Sequence, residues 1–418
     1  MRKKVKMFVW NTFENDARVM RECTALSEKE FTVKLICLRR GNKCLKKSEK
    51  INDNFVVYRI DDINFSIISL LLMVLSLLAT YFMNNTGATL FLILSILLLG
   101  IGKVNSFINK LWLISRMFLV DSYKSFDIYH ANDLNTLPQA YFQAKILRIR
   151  KLVYDSHEVQ TSRTGYESKL YGYLERFFMK RVDICIHENI TRSKYTEYLY
   201  NRKIDYIYNY PSSYEKKDYP KGKIHSVLGI SSDTPILLYQ GGIQEGRGLE
   251  TIVLAAQYID KGTIVFIGDG KEKLKLKRLV KKLNVDDKVK FIDKVPCEML
   301  KEFTIDAFLG FQVLENICFN HYSAASNKLF EYIMAEVPVI ASDFPELARV
   351  IKTNKIGILV QPGNEQELAQ AVNYLIKNSQ FYKKCKKNCG KAKKIYTWER
   401  EKLRFLKIYS ENVEEYGN

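Results

Sequence analysis

Short apolar runs, bounded by Gly, Asp, Asn or Lys, recur along the chain and alternate with longer segments of helical period. Val5–Trp10, Thr32–Leu38 and Lys151–Asp155 are such runs in the first half; Pro235–Gln240, Thr263–Gly268, Val289–Ile292 and Val337–Ala341 repeat the design in the second. Each is too short for a helix and reads as a buried strand. Between them, Val19–Lys29, Leu249 to about Ile259, a segment from Lys328, and Trp398 to about Glu415 place apolar residues at helical spacing. Strand alternating with helix predicts an α/β protein of doubly wound parallel sheets, whose ligands lie at the carboxyl ends of the strands. A length of 418 residues supports two domains, each with its own core.

One stretch breaks this rhythm. Ile63–Met83 holds no charged residue over 21 positions, Asn84–Ala88 reads as a turn, and Thr89–Gly102 is a second uncharged run of 14. The first run has the length of a membrane span, and a hairpin entering and leaving on one face is the economical topology. Arg59, Lys103, Lys110 and Arg116 flank it, as positive-inside bias asks of a cytoplasmic side. A hairpin buried in a core or an oligomer interface is the alternative. The amphipathic segment Phe107–Val120 is expected to lie in the interfacial plane.

Charge sharpens that reading. Lysine and arginine total 65 against 46 acidic residues, a formal net charge of +19, and the basic residues cluster at 39–50 and again at 377–394. Such patches seek phosphates. No zinc-finger spacing, RNP signature or basic zipper accompanies them, so anionic membrane lipid is expected as a partner rather than nucleic acid. The eight cysteines are scattered, and Cys385 with Cys389 lacks the usual zinc or redox spacing, which fits reduced thiols. Met1–Lys4 leads into a short strand and not into a long apolar core, so no cleavable signal peptide is expected.

Candidate chemistry gathers at the ends of the strands. The string from Ala324 to Pro345, AASNKLFEYIMAEVPVIASDFP, opens with Ser326 and Asn327, both good helix N-caps, before Lys328. Amides and dipole at that N-terminus make an anion site for a diphosphate, with Glu331 one turn in and within reach of a hydroxyl. A capped amphipathic helix with a solvated Glu331 is the plainer reading. Gly241-Gly242-Ile-Gln-Glu-Gly-Arg247-Gly248 is a glycine-rich loop that can turn beside an anion while Arg247 forks its oxygens. After the first strand, by contrast, Asn11–Arg18 contains no glycine, which disfavours a dinucleotide there. Asp127–Asp133 and Lys151–Glu158 are strands ending in polar side chains, and of these His157, with Asp133 and Glu158 beside it, is the candidate for chemistry. No Asp-x-Asp clamp occurs anywhere, so no metal and no other cofactor are expected.

Ser326–Asp343 resembles the donor-nucleotide signature of glycosyltransferase family 4, the retaining enzymes of the GT-B fold. The resemblance extends to Asp16–Val19, to Tyr154–Glu158, to Val182–Glu188 with Ile207–Pro211 as the strands closing the first domain, and to Val295-Pro296. It implies that Glu331 holds the nucleotide ribose, that Ser326, Asn327, Lys328, Gly241, Gly242 and Arg247 face the diphosphate, and that Val295 and Pro296 frame the base. It implies further that His157 lies near the donor sugar. The family's E-x7-E pair is incomplete, since Ser323 stands eight residues before Glu331, and Glu336 takes the place of a usual helix-ending Gly. The expected architecture is a pair of Rossmann-like domains facing a cleft: residues 1–211 on the acceptor side with the hairpin 63–102 inserted, 212–394 on the donor side, and 395–418 as a helix crossing back. The expected function is transfer of a sugar from a nucleotide-sugar donor to a lipid-linked or surface-polysaccharide acceptor at the cytoplasmic face of the cell membrane. A non-catalytic membrane-anchored scaffold and a sugar-nucleotide epimerase of the same shape remain open alternatives.

Overall fold

The structure, a computed structural model, describes residues 2–14, 16–40, 44–62, 102–163 and 169–413, with isolated positions between 74 and 94. The chain divides into two compact units, residues 1–157 with 173–185, and residues 158–172 with 186–418.

The first sheet contains β1 (Lys3–Phe8), β2 (Phe31–Arg39), β3 (Ser48–Asn52), β4 (Phe55–Asp61), β5 (Ile128–Asn132), β6 (Lys151–Ser156), β7 (Ile184–His187) and β8 (Asp205–Tyr206) in the order β3-β4-β2-β1-β5-β6-β7-β8. β1 pairs in parallel with β2 and β5, and β5 with β6, while β3 folds back antiparallel on β4. Val5, Met7 and Phe8 of β1 are fully buried, as a central parallel strand covered on both faces requires. The helix expected after β1 is α1 (Ala17–Ser27), opened by Asp16, whose carboxylate accepts the Val19 N–H at 3.1 Å. The strand expected over Ile207–Pro211 is instead the two residues of β8. The Ile207 N–H still reaches the His187 carbonyl at 2.8 Å, but Glu401 takes the Tyr208 N–H at 2.9 Å and draws the chain out of the ladder.

The segment expected to be interfacial lies within α2 (Gly102–Leu119), which buries Leu113 and Met117 and exposes Phe107 and Leu111. The expected hairpin, 63–102, lies almost wholly outside the described residues. Val74, Leu75, Leu77, Leu78, Tyr81, Leu90 and Leu94, described within it, are helical and exposed. Among the described residues no helix is long and apolar enough to cross a membrane.

The second sheet is parallel, with β9 (Ile236–Gln240), β10 (Thr263–Ile267), β11 (Val289–Ile292), β12 (Leu309–Gln312), β13 (Val339–Ser342) and β14 (Gly357–Val360) in the order β11-β10-β9-β12-β13-β14. The helix predicted from Lys328 is α7 (Asn327–Met334), packed flat on this sheet. The contact works because β12 offers Gly310 under the Tyr332 ring, where a Cβ would come within 2.5 Å of the ring carbons. The Tyr332 hydroxyl then donates to the Leu238 carbonyl at 3.1 Å, so a buried polar atom is satisfied. Just past α7, Glu336 adopts a left-handed φ of 56°, the conformation for which glycine is ordinarily chosen, and its carboxylate pairs with Lys393 at 2.8 Å. Helices Ser379–Ala392 and Trp398–Val413 complete the unit. All eight cysteines are free thiols.

Candidate active site

In the second unit the predicted donor residues converge at the carboxyl ends of β9 and β10 and the start of α7. Strand β9 delivers Gln240, whose amide donates to the Glu331 carboxylate at 2.6 Å; the Thr304 hydroxyl in turn donates to the Gln240 carbonyl at 2.8 Å. Glu331 is therefore oriented from behind and not merely solvated. Lys328 folds back over the glycine loop so closely that a Cβ on Gly241 would meet its Cε at 2.6 Å, and its ammonium lies 5.4 Å from the Tyr239 ring centre. Burial, and then the positive charge of Arg247, bring the Lys328 ammonium down to about 7 against the pull of Glu331. Two like charges drawn together at a glycine loop, one of them pushed toward neutrality, mark a place that an anion would stabilise.

Backbone closeness shapes the same loop. The Gly241 carbonyl oxygen lies 2.0 Å from where a Cβ on Gly268 would stand, and the Ile243 carbonyl 2.1 Å from one on Gly270, both glycines having positive φ. The Tyr239 hydroxyl donates to the Gly242 carbonyl at 2.8 Å. Ser326 occupies the N-cap position of α7 with an extended backbone, its side chain makes no capping bond and Asn327 is exposed, while the Leu329 N–H donates to the Ser326 carbonyl at 3.1 Å. Val295 packs partly into the core while Pro296 is exposed, and Glu331 is among the charges that raise the neighbouring Cys297 thiol, so this loop borders the same place.

Ser323 explains the missing first Glu of the family pair. It is fully buried, its hydroxyl donates to the Phe319 carbonyl at 2.7 Å, and Arg192 donates to it through Nε at 3.1 Å. Arg192 also binds the Asn320 carbonyl at 2.8 Å and pairs with Glu188. A guanidinium thus stands beside the position where a carboxylate is usual. Arg192, Gln240, Thr304 and Tyr239 were not singled out in the sequence, because none of them belongs to a spaced motif.

In the first unit, β5 and β6 end side by side, and their last residues carry the other candidates. Asp133 sits just beyond β5 with a left-handed φ of 63°; its N–H donates to the Asp155 carbonyl at 2.9 Å and its carboxylate accepts the His157 backbone N–H at 3.0 Å. The His157 ring, 23% exposed, directs Nε2 to Asp155 at 3.4 Å. Burial works against its protonation, but the carboxylates of Asp133 and Asp155 overcome it and hold the imidazole up at about 10. The two carboxylates thus favour the protonated ring. In the second unit the Glu158 carboxylate pairs with Arg163 at 3.1 Å.

Two Rossmann-like sheets of this topology, one with a glycine loop at its carboxyl edge, are those of the GT-B fold. Residues 220–392 match the model of the family described as glycosyl transferases group 1. N-acetyl-alpha-D-glucosaminyl L-malate synthase of Bacillus anthracis is 23% identical over 282 residues, 65% of this chain and 71% of that protein. Among solved structures, sucrose-phosphate synthase from Thermosynechococcus elongatus is similar with a TM-score of 0.71 at 15% identity, over 98% of this chain and 99% of that one. The Anabaena protein HepE, solved in complex with UDP, has a TM-score of 0.68 at 14% identity, over 98% and 100%. Residues 220–392 thus carry the match to glycosyl transferases group 1, and the chain as a whole has the GT-B fold.

Proposed function

We propose that this enzyme moves a sugar from a nucleoside-diphosphate donor to a lipid-linked or surface-polysaccharide acceptor at the cytoplasmic face of the cell membrane. The observation that carries the donor half is the convergence of Glu331, held by Gln240, with Lys328 and Arg247 at the glycine loop. In the transfer, the bond from the anomeric carbon to the diphosphate oxygen breaks, the acceptor hydroxyl oxygen bonds to that carbon on the same face, its proton passes to the departing diphosphate oxygen, and the nucleoside diphosphate leaves. The N-terminus of α7, Lys328 and Arg247 receive its negative charge, Glu331 holds the ribose, Val295 and Pro296 frame the base, and His157 with Asp133 orients the reacting sugar. Uridine is the first base to test, since HepE was solved with UDP.

The acceptor side rests on different support. Two uncharged runs within 63–102, the exposed leucines among them, and the net charge of +19 favour an apolar anchor beside anionic lipid. The division of labour we propose assigns residues 1–211 to the acceptor and 212–394 to the donor. A panel of nucleotide sugars in a thermal-shift assay in detergent tests the donor reading, because a ligand that binds the folded state raises its melting temperature. A shift with one nucleotide sugar, followed by release of its nucleoside diphosphate in the presence of lipid-linked acceptor, is expected; no shift with any of them overturns it. Deleting 63–102 through a short linker is expected to release the protein from membranes, and sedimentation unchanged in high salt would place the anchor elsewhere.

A further inference from the structure

The opening helix of the first unit carries charges that the transfer as described leaves unused. Arg18 is 5% exposed and Glu22 and Asp155 not at all. The Arg18 guanidinium forks the Asp155 carboxylate, Nε to Oδ2 at 2.9 Å and Nη2 to Oδ1 at 2.8 Å, and its Nε also stands 3.1 Å from Glu22 Oε1. Glu22, Asp155 and the fully buried His130 bring their polar atoms within 4.8 Å of one another. Buried charges on this scale are costly unless each is matched, and a network of this kind is kept where it serves geometry.

We propose that Arg18 and Glu22 are positioning residues for His157: acting through Asp155, they fix the orientation and the positive charge of its ring. The proposal rests on the reading that His157 serves the transfer. The geometry gives each group one task. Arg18 engages both oxygens of Asp155, so that carboxylate cannot rotate, and Oδ2 is the oxygen that faces His157 Nε2 at 3.4 Å. Asp133 holds the backbone of His157 from the other side. The residue is thereby held at its backbone N–H by Asp133 and at its ring Nε2 by Asp155.

The neighbouring charges then bias where a proton sits. Arg18 stands between the buried carboxyls of Glu22 and Asp155, and His157 adjoins Asp155. Burial first, and then the charge of Asp155, raise Glu22 against Arg18 and His157, while Arg18 and His157 hold Asp155 down against its burial, so Glu22 is the more readily protonated of the two. Burial brings His130 down to about 4, which leaves it uncharged in the same cluster. The groups facing His157 are therefore Asp155 from β6, Asp133 beyond β5, and Arg18 from α1, with Glu22 and His130 behind them. Net attraction by carboxylates favours an imidazolium, the form suited to a centre where a diphosphate departs.

Imidazole 15N spectra of the full chain in detergent test this without a substrate. Wild-type His157 is expected to stay doubly protonated at pH 8, and Asp155→Asn to lower its midpoint by at least about one pH unit. Glu22→Gln, which keeps an uncharged hydrogen-bond donor, is expected to preserve both the midpoint and turnover, whereas Glu22→Ala loses at least about fivefold in turnover and alters the pH profile. A wild-type midpoint near 6.5, or equal losses in Gln and Ala at position 22, overturns the proposal. Should Asp155→Asn fail to fold, the two Glu22 variants decide alone. If no nucleotide sugar is turned over, the donor reading fails while the spectra still decide the positioning.

Discussion

The two candidate regions solve the same electrostatic problem with different materials. At the carboxyl ends of β5 and β6 the structure uses side chains: Arg18, Glu22, Asp155 and His157 hold one another within a buried network. At β9, β10 and α7 it uses backbone: glycines at 268 and 270 let main chain approach main chain, Gly241 leaves room for Lys328, and the N-terminus of α7 supplies positive potential. A network of charges fails when one member is removed, because the others are left unmatched. A glycine cradle fails when one atom is added. The two regions should thus have opposite sensitivities.

The largest effect expected is on the charged side. Arg18→Ala leaves Asp155 buried without its partner and should cost about 3–5 kcal/mol of stability, read by denaturant unfolding; a loss below about 1 kcal/mol would show the cluster to be wet and loosely coupled. Next, Gly268→Ala places a methyl 2.0 Å from the Gly241 carbonyl oxygen and should cost about 2–3 kcal/mol while leaving the His157 spectrum unchanged. Donor binding intact in that variant would mean that the loop is not a close-fitting cradle. Glu331→Ala should weaken nucleotide-sugar affinity by about one to two decades with the fold preserved, since a charge-assisted contact worth about 1.5–3 kcal/mol is lost. Titration calorimetry checks it.

Alkaline pH offers a fourth comparison. His157 is raised from 6.5 to about 10, so its contribution to stability is complete below 6.5 and is lost as pH rises through about 10; Glu22, whose carboxyl is also raised, contributes in the same sense below its own folded value. Stability should fall between pH 7 and 10, and His157→Gln should shrink that fall by about 2–4 °C in melting temperature. An identical fall in the variant would assign it to other groups. The smallest effect expected is at Glu336→Gly, where relief of a left-handed backbone, about 1 kcal/mol, opposes loss of the Lys393 pair. A melting temperature within about 2 °C of wild type is the expected result.

The contrast also explains what could be read in the sequence. The second region was legible as a structure because backbone chemistry leaves local marks: glycines in a loop, Ser326 and Asn327 before a helix, Glu331 one turn in. Periodicity located α1, β9, β10 and α7 within a few residues. Ile207–Pro211 misled because its apolar residues are buried outside the ladder, with Glu401 taking an amide that a strand would have used. The charged half was only half legible. Asp133 and His157 stood at strand ends, but Arg18 and Glu22 lie well over a hundred residues from Asp155 and join it through tertiary packing. Nothing in a helix of ordinary composition marks which of its charges will be buried.

The fit of Tyr332 over Gly310 has a consequence for the entropy of recognition. With the ring pressed on the strand and its hydroxyl bonded to Leu238, α7 is tied to the sheet at its middle. Its first amides therefore need no ordering when an anion arrives, and the conformational freedom that a loop would surrender on binding has already been given up during folding. Affinity for a small polar ligand then reflects contacts made rather than motion lost, so a tyrosine that never meets the donor sets part of the donor's residence time.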